Sequence, residues 1–108
     1  MDKMTAILCY LRKYHTGRGR AVHSCELERL FSLTGRSLRR RIFALRQEGY
    51  PVCADENGYY YAEKQSEIND TVGRLDELVT KISNSRTGLL HAMLTAESVS
   101  VDIRITLS

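Results

Sequence analysis

Between Thr34 and Gln47 the chain carries five arginines, Arg36, Arg39, Arg40, Arg41 and Arg46, and no acid. A guanidinium is a planar fork of five donors that stays charged at any physiological pH. It matches the paired acceptors of a phosphate or of a guanine edge. A merely solvated helix would mix acids among such bases at i,i+4 spacing. The stretch is therefore a candidate anion-binding face. On a helical wheel with Leu38 at zero, Ile42 and Leu45 fall within about 40° of it, and Arg36 and Arg40 fall at about 160° and 200°. Arg36 and Arg40 are expected to meet guanine edges or central phosphates, with Ser37 and Arg39 on the flanks. Arg41 lies near the core edge and is expected to pair with a carboxylate. Phe43, at about 140°, also points outward; it could touch a thymine methyl or pack under the hairpin, and packing is expected. Arg18 and Arg20 in a glycine-containing loop, and Ser24 at a helix start, are further candidates for phosphate contacts.

Other chemistries find little material. Cys9, Cys25 and Cys53 are odd in number and widely spaced, without a C-x-x-C pair, so neither a disulfide framework nor a zinc site is expected. They read as buried or half-buried free thiols. His15, His23 and His91 have no companions at ligand spacing. No carboxylate pair, no nucleophile with its base and no glycine-rich phosphate loop is present, so no enzyme, no cofactor and no small-molecule ligand is expected.

The elements that must carry the arginines follow from periodicity. Met4, Ile7, Leu8 and Leu11 mark a first helix at about residues 2–14. Thr16–Arg20, with two glycines, breaks it, and Ala21–His23 is at most a short extended piece. Ser24 reads as the N-cap of a short second helix with Leu27, Leu30 and Phe31. Thr34 caps a third, with Leu38, Ile42 and Leu45 inward and Gly49 just past its end. Two short helices joined by a tight turn form a helix-turn-helix unit. After Gly49 the period drops to two. Tyr50–Ala54 and Tyr59–Ala62 read as a hairpin around Asn57-Gly58, with Ala54 opposite Tyr61 and Glu56 opposite Tyr59. Val52, Ala54, Tyr59 and Tyr61 would face the helices, while Tyr60 and Asp55 would point away.

The chain has 108 residues with a net charge of +3, unevenly spread. Residues 1–50 hold eleven Lys/Arg against four Asp/Glu, a net of +7, and the rest holds five against nine, a net of −4. A basic half suggests a polyanionic partner. No apolar run is long enough to span a membrane, and the N-terminus lacks a secretory pattern, so a cytoplasmic protein is expected.

The stretch from Ser24 to Ala62 reads S-x-x-L-x-x-L-F, then L-R-R-R-I-x-x-L-R-x-E-G-Y-P-V, then N-G-Y-Y-Y-A. It resembles the small winged helix-turn-helix domains of the biotin-repressor type, especially those encoded by bacteriophages and prophages. The likeness covers about residues 4–62. It implies a mainly α fold with a β-hairpin (α+β), and double-stranded DNA as partner. One departure stands out: the hairpin tip, Asp55-Glu56-Asn57, is acidic where many such wings are basic, so it is expected to be structural or to skim the backbone.

The remaining residues read as an appendage. Ile68, Val72, Leu75, Val79 and Ile82 repeat at alternating spacings of four and three, a heptad seam that Leu78 widens. Asn84–Gly88 is expected to end that helix, and Leu89–Leu94 to form another. Val99, Val101, Ile103, Ile105 and Leu107 alternate with polar residues like a half-buried strand. The division expected is a winged-helix DNA-binding domain over 1–64 and an acidic helical segment with a terminal strand over 65–108, serving homodimerisation or higher self-association.

The function expected is that of a phage or prophage transcriptional regulator, dimeric and sequence-specific. Two alternatives are an accessory or architectural DNA-binding protein in mobile-element replication or excision, and a protein-interaction module on the same scaffold.

Overall fold

A computed structural model describes the backbone of residues 2–98 and the side chains through residue 92. The described chain is mainly helical with one antiparallel hairpin, an α+β arrangement. It runs α1 (Lys3–Tyr14), a single 3-10 turn (Arg18–Arg20), α2 (Ser24–Phe31), α3 (Gly35–Gln47), β1 (Val52–Asp55), β2 (Gly58–Tyr61) and α4 (Gln65–Ser98). The expected strand over Val99–Leu107 lies outside the described residues. Contacts divide the chain into two units, Met1–Val72 and the residues from Gly73 onward. The first unit thus takes in the first two turns of α4.

α1 and α3 each start where a side chain satisfies a free amide. The Asp2 carboxylate accepts from the Thr5 N–H at 2.7 Å, and the Thr34 hydroxyl from the Ser37 N–H at 3.1 Å. α2 begins one residue away from expectation: His23 holds the N-cap position without a side-chain bond, and Ser24 is the first helical residue. α2 ends at Ser32, whose φ of 53° is left-handed, and its carbonyl accepts from the Lys3 ammonium at 3.3 Å. Ile7, Leu8, Leu11, Leu27, Leu38, Ile42 and Leu45 meet Val22 and Val52 in one core, with Tyr59 and Tyr61 packed against it. The seven helical members are positions that the helical period marks, whereas Leu30, which it also marks, is 44% exposed.

The hairpin register differs from expectation by two residues. Val52 pairs with Tyr61, Ala54 with Tyr59 and Asp55 with Gly58, so Glu56 and Asn57 form the turn. A two-residue shift leaves the faces unchanged. The cause is local. An Asn-Gly turn of the mirror-image type needs positive φ at both residues, yet Gly58 is the only hairpin residue with positive φ. Asp55 Oδ1 instead accepts the Asn57 N–H at 2.8 Å, an Asx turn one step earlier. Residues 15–22 then line the outer edge of β2: Val22 and Tyr59 exchange both backbone bonds at 2.8 Å, and Tyr61 donates to His15 and accepts from Gly17, each at 2.8 Å.

The second face of the hairpin is a correction. Tyr60 does lie on the face away from Val52 and Tyr61, as expected, but Cys53 and Tyr60 are each only 1% exposed. The start of α4 anchors there. Thr71 Oγ1 accepts the Ala54 N–H at 3.4 Å, and burial pushes up the pKa of the Cys53 thiol. Glu67, 6% exposed, takes the Glu63 and Lys64 amides on one oxygen at 2.7 and 3.0 Å, and the Arg18 amide on the other at 2.8 Å. A further correction concerns α4 itself. It passes through Asn84–Gly88 without a break. Elongating an existing helix needs no new nucleus, and no proline removes a bond there.

Candidate nucleic-acid interface

The side chains of α3 sort into three groups by what holds them. Arg46 is inward: its Nε donates to the Val52 carbonyl at 2.7 Å, and burial lowers its pKa. Arg41 is half-buried and donates to the Ser37 hydroxyl and carbonyl. Its partner is therefore Ser37 rather than a paired carboxylate, although its charge also reaches Asp2. Arg36, Arg39 and Arg40 form the third group. All three are exposed, and among the described residues none of them forms an ion pair or a side-chain hydrogen bond. Arg39 lies back over Gly35, where an added Cβ would stand 3.3 Å from its Nη1 and 3.6 Å from the Glu28 carboxylate. Arg36 and Arg40 have no acid so placed.

Two residues join this face that sequence reasoning placed elsewhere or passed over. Phe43 is 61% exposed and does not pack beneath the hairpin, so that expectation fails. The hairpin packs its own Tyr59 and Tyr61 against the core instead. Gln47 is exposed too, and on the wheel it falls between Arg36 and Arg40. The outer side of α3 thus presents Arg36, Arg39, Arg40, Phe43 and Gln47 as one stripe. Its signal in the sequence was the run of positions at about 100–200° from the core, where Phe43 already pointed outward and Gln47 was passed over.

The remaining expected contacts separate. Ser37 is half-buried, with its amide bonded to Thr34 and its hydroxyl to Arg41. Arg18 is not a free cation. Its guanidinium bonds Asp70, stands 4.0 Å from the Asp55 carboxylate, and is held above its ordinary pKa chiefly by the Asp70 bond. Arg20 is exposed, its carbonyl close to His15 Nδ1 at 2.7 Å. The hollow beside Ser24 is lined by Asp55 and Glu56, which makes it a poor seat for a phosphate. The acidic hairpin tip accordingly has structural partners in Asn57 and Arg18.

No protein-family model, curated protein or solved structure matches this chain.

Cys9 and Cys25 are exposed, against expectation, because they fall on the outer sides of α1 and α2; Cys53 is buried. Among the described residues no three His, Cys, Asp or Glu side chains converge as metal ligands. No described helix is long and apolar enough to cross a membrane.

The seam residues of α4 fall into two parts. Ile68 is half-buried in the first unit. Val72, Leu75, Val79 and Ile82 are exposed, Val79 at 65%, as are Leu78, Leu89 and Leu90. Leu89 continues the spacing of the seam beyond Ile82, with Arg86 at the intervening position. That is more large apolar surface than a solvated helix usually shows on one side.

Proposed function

We propose that the protein is a sequence-specific double-stranded DNA-binding regulator, built as a winged helix-turn-helix and self-associating through α4. In this reading α2 and α3 form the helix-turn-helix, β1 and β2 form the wing, and α3 enters the major groove. The single observation that carries it is the outer face of α3. Three exposed arginines without protein partners stand there beside an exposed phenylalanine and glutamine, on a helix fixed from behind by Leu38, Ile42, Leu45 and Arg46.

The chemistry of the stripe suits base edges as well as phosphates. Arginine matches guanine O6 and N7, glutamine matches adenine N6 and N7, and an aromatic ring can lie against a thymine methyl. A face made only for backbone neutralisation would have no use for an exposed phenylalanine. The acidic wing tip, held by Arg18, is expected to stay clear of phosphates and to brace the sheet. The exposed seam of α4 supports a two-fold dimer, which would double the contacts and read an inverted repeat. Regulation of transcription in a phage or prophage setting rests on the resemblance of residues 4–62 described above.

The test is selection of bound sequences from a random duplex library by the full-length protein. An enriched inverted repeat is the expected result. Enrichment of nothing, with retention of random duplex and a steep loss of binding in salt, would instead identify an architectural DNA-binding protein. No retention of duplex at any salt concentration would leave α3 without its assigned role.

A further inference from the structure

The exposed seam of α4, among the described side chains, runs from Val72 to Leu89, and it contains one charge. Its members are Val72, Leu75, Val79, Ile82, Arg86 and Leu89, at spacings of three, four, three, four and three. The unbroken helix across Asn84–Gly88 is what brings Leu89 into line. Every residue of this set with a large apolar side chain is at least 38% exposed. The set needs a partner stripe of the same length.

We propose that this stripe pairs with the same stripe of a second copy in antiparallel orientation, with Arg86 of each chain seated beside Asp76 of the other. The proposal rests on the self-association half of the function given above. Reversing one helix against the other sets Val72 level with Leu89, Leu75 with Arg86, and Val79 with Ile82. Each residue of the stripe from Val72 to Leu89 then has a counterpart.

The orientation is decided by charge. In a parallel pair, residues at equivalent positions meet, so Arg86 would face its own copy inside an apolar seam. In the antiparallel pair, the Arg86 stem lies along Leu75 and its guanidinium reaches the edge of the seam, where Asp76 immediately follows Leu75. Both side chains are exposed, and among the described residues neither forms an ion pair within its own chain. A charged residue at one seam position commonly sets register and orientation at some cost in stability. Arg86 and Asp76 would do so here, twice per dimer by symmetry. Within one chain they are ten residues apart, about 15 Å along the helix, so the pairing is unavailable to a monomer or a parallel dimer.

Charge reversal in the full-length chain tests this, read by sedimentation equilibrium with helix content checked by circular dichroism. Arg86→Asp alone and Asp76→Arg alone should each weaken dimerisation by about fivefold or more, because each sets like charges side by side. The double variant should return it to near the original value. If both single variants dimerise as the unmodified protein does, or if the double variant is no better than the singles, the antiparallel seam is wrong. A monomeric unmodified protein at tens of micromolar would remove self-association itself from the function reading. The duplex selection, which scores α3, separates that failure from a failure to bind DNA.

Discussion

At the scale of single residues, Gly58 carries a constraint out of proportion to its size. Its φ is +123°, and an added Cβ would stand 2.0 Å from the Val22 carbonyl oxygen. That is backbone against backbone, in the bridge that closes the outer edge of β2. Gly58→Ala is expected to cost at least about 2 kcal/mol in urea unfolding, through strain and loss of the Val22–Tyr59 bridge. Glu67 is the second such residue. Three backbone amides, that of Glu63 first, hold its carboxyl below the usual glutamate range against the opposing effect of burial. A carboxyl with a depressed native pKa contributes stability that is complete above its unfolded pKa and is lost as pH falls through its native one. The unmodified protein should therefore lose stability on acidification from about pH 5 to pH 3, and Glu67→Gln should be less stable at neutral pH with a shallower dependence across that interval. Phe43 belongs at this scale as well. If its ring lies on a thymine methyl, replacing one thymine of the selected site by deoxyuridine should weaken the unmodified protein and leave Phe43→Ala unaffected. Equal losses in both proteins would place the ring elsewhere.

At the scale of elements, α3 has to be both bolted down and free, and its arginines divide that work. Arg46→Ala is expected to destabilise the fold by about 1–3 kcal/mol, since it removes the donor to the carbonyl of buried Val52. Arg36→Ala and Arg40→Ala should leave unfolding midpoints nearly unchanged while weakening binding to the selected duplex by about 1–3 kcal/mol. A reversal of this pattern would mean that the outer face of α3 is not the interface. This division shows where the sequence could be read and where it could not. Leu38, Ile42, Leu45 and the Thr34 cap are local features of one helix, and they stand where the 3.6-residue period puts them. What Arg46, Arg18 and Phe43 do depends on which segments arrive beside them from elsewhere. Arg18 is engaged by Asp70, fifty-two residues along the chain, and no spacing rule connects the two. Glu67 and Thr71 were hidden for the same reason, since polar residues in an amphipathic pattern look like solvated surface until another element covers them. The hairpin register slipped because Asn57-Gly58 is a strong turn signal in isolation, whereas the Asx turn at Asp55 and the close approach of Val22 are decided by the rest of the sheet.

At the scale of the whole molecule, the function reading joins a DNA-binding face to a self-pairing helix, and that joint makes a prediction neither part makes alone. Two weak half-site contacts become one strong one when dimerisation converts the second into an intramolecular event, with gains of about a hundredfold or more and no new contact. Val79 lies at the centre of the free seam and is 65% exposed within the chain, so Val79→Asp should fold normally and fail to pair. The variant should bind an isolated half-site as tightly as the unmodified protein, because α3 is untouched. On the full inverted repeat it should lose most of the advantage that the unmodified protein shows over the half-site. Side-by-side titrations of the two duplexes with the two proteins measure this directly. If Val79→Asp is monomeric yet keeps the full advantage on the inverted repeat, the two copies meet through the DNA, and α4 serves some other partner. If it remains dimeric, the seam is not what holds the copies together. A loss confined to the inverted repeat would tie the exposed stripe of α4 to the arginine face of α3 as two halves of one recognition device.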